Sequence, residues 1–484
     1  MFDQLRHSKL FVLFCLVSVL ALFAVLTPLI ATAKASQTAV TSKDITSLLN
    51  DYSASMNAGN NTYAPFSSSP MASLIQERKD YYNEFFRVGL HSNLVKLKSE
   101  FSDVSTILTA GDVTHLKVVE VVTLDGSSII KAADEYPVIP AAEWALSRTD
   151  DPVVQMRLRQ FIANTIRSVD ESIANGFEMV FFVSHDMDLA NKDGQLQIVR
   201  DAFTDKASDN GDGFDNATWM DGKAVRSRPD YSAMPDYQIY HTPVEAVGQQ
   251  LLDSYTQGYS KNGAYDVTST GYAGYFYYNR EAAKNWALAH VSNTNITCPG
   301  TSYHMDTSYY GPLYQGVWSY TTTTCNDCAD FVSQALRAGG FLSDSFWNSQ
   351  GSEGHGTYGW RVFDFTTGSE PGLGYYLQTI QQFVQVEPYV QFLNVGDLLF
   401  TDGPGYHVVI LTGINPALYS GHTNDRHDYA VSNPDAASLT NYWHINDPFI
   451  LTYTFSDVPV SHWAWQEIER LYRDNSQGGV PPTH

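Results

Sequence analysis

The sequence predicts a multidomain α+β protein, and three features carry that prediction. In the first half of the chain, helical patterns are followed by several strand patterns, which makes an α+β domain. In the second half, a helix that carries a cysteine is followed by a pair of antiparallel strands. The chain has 484 residues, of which 43% are hydrophobic, and this suffices for two to four domains of about 150 residues with packed cores.

The first 35 residues have the pattern of an export signal. Arg6 and Lys9 precede an apolar run from Leu10 to Ile30, and two Ala-x-Ala cleavage sites follow within 31–35. The pattern predicts a secreted or cell-surface protein. Because the run reaches the ~20 residues that span a bilayer, an uncleaved membrane anchor is the alternative. The net charge of −23, with no basic run beyond the N terminus, argues against nucleic acid as a partner.

Residues 36–203 are predicted to form the N-terminal α+β domain. Helices are expected where apolar residues recur at helical spacing, and strands where β-branched residues cluster. The expected helices are Ile45–Met56, Met71–Glu100 and Pro152–Ala174. The expected strands are Val113–Leu124, turned by Asp125-Gly126, and the hairpin strands Glu178–Leu189 and Gln195–Phe203, joined at Asp193-Gly194.

The end of this domain, HDMDLANKDGQLQIVRDAF, resembles the last hairpin of cone-shaped domains like nuclear transport factor two. The resemblance implies a ligand pocket or a spacer. His185 and Asp186 would line such a pocket, but we favour the simpler interpretation that they are exposed hairpin residues. Residues 204–235 are polar and rich in Asp, Asn, Gly and Ser, and residues 204–271 are interpreted as a linker with a short helix at Thr242–Tyr259. A clearer helix is expected at Asn279–Val291.

The stretch TTTTCNDCADFVSQALRAGG at residues 321–340 predicts a helix that begins near Cys328. Asn326 and Asp327 are suitable N-caps, and two glycines end the pattern. One apolar face follows the spacing i, i+3, i+4, i+7, i+8: Cys328, Phe331, Val332, Ala335 and Leu336. Unpaired backbone N–H groups and the positive end of the helix dipole favour a thiolate in the first turn. Cys328 is therefore the candidate nucleophile.

A thiol nucleophile needs a base, and the base needs a polar partner that orients it. Val395–Thr401 and His407–Ile414 are predicted to be antiparallel strands, with a further strand near Tyr419. Alternation puts His407, Val409 and Leu411 on one face of the second strand. The candidate constellation is Cys328, His407, His422 and Asn424.

Four segments in this order resemble the secreted amidase domain of bacteria, which is related to NlpC-like and CHAP amidases. They are YNREAAKNWA, NDCADFVSQALRAGG, GDLLFTDGPGYHVVILTGI and GHTNDR, within a predicted domain at 272–445. The resemblance implies a papain-like α+β fold, a cysteine amidase or peptidase acting on a peptide or peptidoglycan-type substrate, and no metal or organic cofactor. It implies Cys328 as nucleophile and His407 as general base, and it leaves His422 and Asn424 open as the third member. This chain has Asp330 where the family usually has Asn.

The cysteine count leaves alternatives open. Cys15 lies in the export signal, so the exported part contains Cys298, Cys325 and Cys328. Either Cys298 pairs with Cys325 and Cys328 stays a thiol, or all three are thiols. Two other functions are carried alongside the enzyme: a thiol-redox protein that uses Cys325 and Cys328, and a catalytically inactive protein that binds the cell wall.

The C-terminal tail at 455–484 resembles the first half of an S-layer homology motif. The matching residues are Phe455, Asp457, Val458, Pro459, His462, Trp463, Ile468 and Leu471. The resemblance implies binding to a cell-wall polymer. Because a single shortened copy is present, a helix that docks on the amidase domain is the alternative.

Overall fold

The computed structural model describes most of the chain between residues 40 and 453. The described ranges are 40–58, 71–192, 194–205, 217–220, 223–226, 229–261, 272–276, 278–298, 304–306, 328–341, 372–380, 384–401, 407–433, 436, 438–446 and 449–453. The predicted export signal and the predicted wall-binding tail lie outside these ranges and stay predictions. In the described part of the chain, no helix is long and apolar enough to cross a membrane.

The N-terminal unit is built on an antiparallel sheet of six strands that pair in chain order. The strands are β1 (Ser92–Ala110), β2 (Val113–Ser128), β3 (Phe177–Lys192), β4 (Gln195–Asp205), β5 (Ala217–Met220) and β6 (Lys223–Arg226). Every second residue from Met179 to Leu189 of β3 is buried, which is the period expected of a strand with one face in the core. The predicted hairpin of β3 and β4 is confirmed, with Gly194 at φ 79° in its turn.

Four helices pack on this sheet and on each other. They are α1 (Ser42–Asn57), α2 (Ala72–Glu84), α3 (Val138–Leu146) and α4 (Pro152–Asn175). A capping box between Thr41 and Asp44 starts α1. Asp151 caps α4 by accepting hydrogen bonds from the first free N–H groups of the helix. The predicted helices at Ile45–Met56 and Pro152–Ala174 are confirmed.

The prediction of one helix over Met71–Glu100 is wrong in its last third. After α2 the chain makes a π-helical turn over Phe85–Gly89, and β1 begins at Ser92. His91 has φ 47°, a left-handed conformation that a right-handed helix does not contain. The long hairpin with β2 stabilises residues 92–100 as a strand, so tertiary pairing overrides the local helical pattern.

The predicted turn at Asp125-Gly126 is also wrong. β2 continues through both residues to Ser128, and they pair with β1. The register shifts between Leu94 and Lys96 of β1, so a bulge in the partner strand takes up the irregularity. A turn-forming dipeptide therefore lies inside a strand here, because the pairing on both sides of it is already fixed.

A network of buried charges lies inside the N-terminal unit. Arg78 donates to Glu120 at 2.6 Å, and His185 lies 3.0 Å from both Glu120 and Asp201 through its two ring nitrogens. Both nitrogens face carboxylates, so both donate and the ring is an imidazolium. Burial opposes this charge, but Asp201 and Glu120 outweigh it and raise the pKa of His185 to about 9. His185 is thus fully buried rather than exposed, whereas Asp186 remains half-exposed.

Residues 204–271, interpreted above as a linker, contain regular structure in their described parts. β5 and β6 extend the N-terminal sheet, and α5 (Pro235–His241) and α6 (Val244–Lys261) follow. The predicted helix at Thr242–Tyr259 corresponds to α6. Large apolar side chains such as Trp219 and Leu251 are buried there. Burying these side chains stabilises the folded segment, although most of its residues are polar.

The second unit is built on another six-stranded sheet, in the order β12-β11-β10-β9-β13-β8. Its strands are β8 (Val384–Glu387), β9 (Leu398–Phe400), β10 (Val408–Ile414), β11 (Ala417–Gly421), β12 (Arg426–Ala430) and β13 (Asn441–Ile445). β7 (Tyr272–Phe276) and β14 (Phe449–Tyr453) form a separate antiparallel pair. The predicted antiparallel pairing of β9 with β10 is confirmed.

Both faces of this second sheet are buried. Val408 and Ile410 of β10 pack in the cluster that contains Cys328, on one face. Val409 and Leu411 pack on the opposite face, in the cluster that contains the core of the N-terminal unit. The sheet is therefore a middle layer between two helices described below, α7 and α8, and the N-terminal unit. This explains why β10 is continuously apolar rather than alternating.

Buried acids also join the two units. Asp236 of α5 accepts hydrogen bonds from the N–H of Ala417 at 3.1 Å and the hydroxyl of Ser432 at 2.6 Å. Glu387 of β8 lies 2.6 Å from the hydroxyl of Ser254 in α6. Burial raises the pKa of Glu387 to about 8 and that of Asp236 to about 6, although their hydrogen bonds act in the opposite direction. Glu387 is therefore mostly protonated at neutral pH.

Glu120→Gln is expected to lower the free energy of unfolding by about 3–5 kcal/mol, because it leaves Arg78 and His185 with one carboxylate fewer in a fully buried site. Glu100→Gln is the matched control, since Glu100 forms an exposed pair with Lys98 at 2.8 Å and its loss costs about 1 kcal/mol or less. Urea unfolding of both variants measures the difference. Equal losses would show that the buried network does not stabilise the fold.

The free energy of unfolding is expected to fall as pH rises from about 4.5 to 8. Glu387 ionises across this range only in the unfolded chain, so the unfolded state binds fewer protons and stability decreases with pH. Glu387→Gln removes this contribution, and its stability should decrease less steeply over the same range. Urea unfolding at several pH values compares the slopes, and parallel slopes would contradict the assignment.

Candidate active site

Cys328 is the first residue of α8 (Cys328–Ala338), and it is 5% exposed. Its helix packs on β10 and β11, and Val408, Ile410 and Trp443 belong to the same apolar cluster as the thiol. The predicted helix and its buried face are confirmed, while the predicted N-caps Asn326 and Asp327 lie outside the described residues. Backbone N–H groups of a first turn and the helix dipole both favour a thiolate at this position.

The cysteines differ in state. Cys298 is disulfide-bonded, whereas Cys328 is in no disulfide. Cys325, which the sequence offers as a partner for either residue, lies outside the described residues. The thiol state of Cys328 is the one that a nucleophile requires.

A buried polar cluster positions the elements around the thiol. Asp397, just before β9, accepts hydrogen bonds from Arg280 at 2.5 Å and from the Nδ1 of His444 at 2.7 Å. Backbone N–H groups of Asn394 and Ile445 donate to the same carboxylate. Burial opposes its ionisation, but Arg280 and His444 outweigh this effect and lower the pKa of Asp397. The charged cluster fixes the start of α7 (Arg280–Ala289) to β9 and β13.

His407 immediately precedes β10 and exchanges hydrogen bonds with Thr401 across the loop. The alternation of β10 puts it in register with Val409 and Leu411, which face the N-terminal unit. Burial, with the guanidinium of Arg426 as a second cause, lowers the pKa of His407 to about 4. The ring is therefore neutral at pH 7. Among the described residues, no hydrogen bond joins His407 to Cys328.

His422 immediately follows β11, is 2% exposed, and lies against the helix that carries Cys328. Its ring centroid is 4.2 Å from that of Phe331, which is one turn beyond Cys328 on the same helix face. Its Nε2 lies 2.7 Å from the backbone oxygen of His290 at the end of α7. Burial lowers the pKa of His422, while Asp425, this carbonyl and Asp330 act in the opposite direction.

Asn424 anchors a neighbouring segment rather than an imidazole. Its Oδ1 accepts a hydrogen bond from the N–H of His304 at 3.0 Å. Asp425 completes the attachment, since its N–H donates to the His304 carbonyl and its carboxylate accepts from the N–H of Asp306, both at 2.8 Å. Thr423 and Asn424 have φ of 65° and 66°, so the chain after His422 is held in a left-handed turn.

The four predicted residues thus lie at one end of the β10–β11 hairpin and the adjoining helix start, but they are not equivalent. The structure brings His422 to the helix of Cys328 through Phe331. The charge of Arg426 acts on His407 instead. Sequence reasoning missed His290 and Asp425. His290 is 132 residues from His422, and no local pattern connects the two, whereas Asp425 is visible inside GHTNDR. In the described part of the chain, no three His, Cys, Asp or Glu residues are grouped to hold a metal ion.

Asn424→Ala is expected to destabilise the protein by about 1 kcal/mol, because it leaves the half-buried His304 N–H without its side-chain acceptor. Asn424→Asp is the matched control, since aspartate keeps an oxygen at the same position and tolerates the left-handed backbone. Thermal or urea unfolding should place the aspartate variant closer to the wild type. If both variants unfold like the wild type, the anchoring role of Asn424 is wrong.

A family model described as "Putative amidase domain" matches residues 277–445, about a third of the chain. The matched range contains Cys328, His407, His422 and Asn424 together with α7, α8 and the second sheet. No curated protein and no solved structure matches the chain significantly. The match supports an amidase-like domain at these residues and suggests hydrolysis of amide bonds.

Proposed function

We propose that the protein is an exported cysteine amidase or peptidase that cleaves an amide bond in cell-wall peptide or another extracellular peptide. The position of Cys328 carries this proposal. Within the matched residues, a buried thiol outside any disulfide begins a helix that packs on β10 and β11, and one imidazole adjoins each of these strands. A helix start lowers the pKa of a thiol, and a nearby imidazole can take its proton.

The chemistry follows from these groups. The thiolate of Cys328 attacks the carbonyl carbon of the substrate amide, and an imidazolium protonates the leaving amine. Water then hydrolyses the thioester. The backbone N–H of Cys328 is the first candidate donor to the oxyanion, because it points out of the first turn. The resemblance offers His407 as the base, with His422 or Asn424 as its partner, and His422 is a second imidazole that can take the proton.

The cellular part of the proposal rests on the termini. An N-terminal export signal delivers the enzyme outside the cytoplasm, and the tail at 455–484 attaches it to a wall polymer. A peptide or peptidoglycan-type substrate fits that location. Only the enzyme requires hydrolysis of an amide that depends on Cys328. The thiol-redox protein and the inactive wall-binding protein do not.

Cys328→Ala is expected to abolish release of peptide or amine from cell-wall sacculi and simple amide substrates, because the proposed mechanism requires the Cys328 thiolate as its nucleophile. Ser333→Ala, a fully buried residue of the same helix, is the matched control for the loss of one heteroatom. It should fold and keep its activity. Measurements on the purified exported chain compare initial rates of release.

Equal release by the wild type and Cys328→Ala would remove the cysteine mechanism. Release by neither, with selective alkylation of Cys328 but no turnover on any amide, would favour the inactive binder. A disulfide that forms and breaks reversibly at Cys328 in the folded protein would favour the redox alternative.

A further inference from the structure

Two imidazoles lie at the same end of the β10–β11 hairpin, but toward opposite faces of the sheet. His407 is in register with Val409 and Leu411, on the face covered by the N-terminal unit. Gly421 of β11 lies against Val409, since a Cβ added there would be 2.6 Å from the Val409 Cγ1. The next residue, His422, therefore lies on the other face. Its contact with Phe331 of α8 agrees with this placement.

The surroundings of His422 suit a proton acceptor. Its Nε2 faces the His290 carbonyl at 2.7 Å, so Nε2 carries a proton and Nδ1 is the basic nitrogen. Burial holds the pKa of His422 below its usual value, and groups of three elements oppose this effect: Asp425 of the turn after β11, the His290 carbonyl at the end of α7, and Asp330 of α8. Each of the two carboxylates stabilises an imidazolium. By contrast, the charge that acts on His407 is the guanidinium of Arg426, which opposes an imidazolium.

Resting on the proposed function, we infer that His422, rather than His407, is the general base and acid that exchanges a proton with Cys328. Cys328 and Phe331 are three residues apart on the helix, a spacing at which Cβ atoms lie about 5–6 Å apart. His422 packs on Phe331, so its ring lies beside the first turn of the helix. The assignment makes His290 and Asp425 positioning residues, because they set the tautomer and the charge of the ring.

His422 can carry the proton through each step of the reaction. Nδ1 of His422 takes the proton of the Cys328 thiol, and the thiolate forms a C–S bond with the amide carbon. Nδ1 then returns the proton to the leaving nitrogen as the C–N bond breaks. Nδ1 next takes a proton from a water molecule, and the water oxygen attacks the thioester carbon. The C–S bond then breaks, which regenerates the thiolate and releases the acid. Nε2 keeps its proton throughout and donates it in the hydrogen bond to the His290 carbonyl oxygen.

The test compares His422→Gln and His407→Gln in the full exported chain. The rate of Cys328 alkylation by iodoacetamide is measured against pH, with peptide mapping to identify the site. In the wild type, the inflection should lie well below the value of about 8.5 for an ordinary thiol. His422→Gln should move it toward that value and lower kcat/KM for amide hydrolysis by about 10²–10⁴-fold. His407→Gln should leave the inflection in place.

A shift in His407→Gln without one in His422→Gln would overturn the inference, and so would unchanged inflections in both variants. The proposed function survives either result if Cys328→Ala remains inactive, whereas an active Cys328→Ala removes the proposed function itself. Should His422→Gln fail to fold, the isosteric Asp425→Asn gives a second test. This variant removes a carboxylate that stabilises the imidazolium. The ionisation of His422 in the pH profile of kcat/KM should therefore move to lower pH. An unmoved profile would overturn the assignment of His422.

Discussion

The structure depends on the burial of one sheet on both of its faces. β10 sends Val408 and Ile410 toward the helix of Cys328, and it sends Val409 and Leu411 toward the N-terminal unit. A continuously apolar strand of this kind is stable only if both faces are covered. The N-terminal unit therefore supplies half of the core of the sheet that positions the site. Lys284 of α7 reinforces this link by pairing with Glu171 of α4 at 2.5 Å.

Buried ionisable groups of this protein behave in two ways. A group that has an oppositely charged partner stays ionised, and a group that lacks one becomes neutral. Arg78 and His185 are balanced by Glu120 and Asp201, and Arg280 is balanced by Asp397. In the described part of the chain no cation pairs with Glu387, and burial raises its pKa to about 8. Neighbouring charges also distinguish the two imidazoles at the site. Burial lowers the pKa of both rings, but Asp425 and Asp330 favour the imidazolium of His422, whereas Arg426 opposes that of His407.

Much of the site-bearing unit could be predicted from the sequence, because its signals are local. The periodicity of CADFVSQALRA predicts α8 and the inward face of Cys328, and the two apolar runs around DGPG predict the pairing of β9 and β10. The alternation that groups His407 with Val409 and Leu411 was visible too. The sequence does not show that this face lies away from Cys328, because only the packing of the two units shows which face of the sheet contacts α8.

The predictions that were wrong concern residues whose secondary structure or burial depends on partners far away in the sequence. Residues 92–100 read as helix and form a strand because they pair with β2, and Asp125-Gly126 reads as a turn but lies inside that pairing. His185 reads as exposed, yet its partner Glu120 lies 65 residues earlier in the sequence. His290 reaches His422 across 132 residues. No local composition or period encodes such contacts.

The most direct measurement of the central claim is the mass of the enzyme during turnover. Rapid acid quenching of the full exported chain with an amide substrate, followed by peptide mapping, should show an acyl group on the peptide that contains Cys328. The mass increase should equal that of the acyl part of the substrate. Amide hydrolysis with no adduct at Cys328, or with an adduct at another residue, would contradict the account.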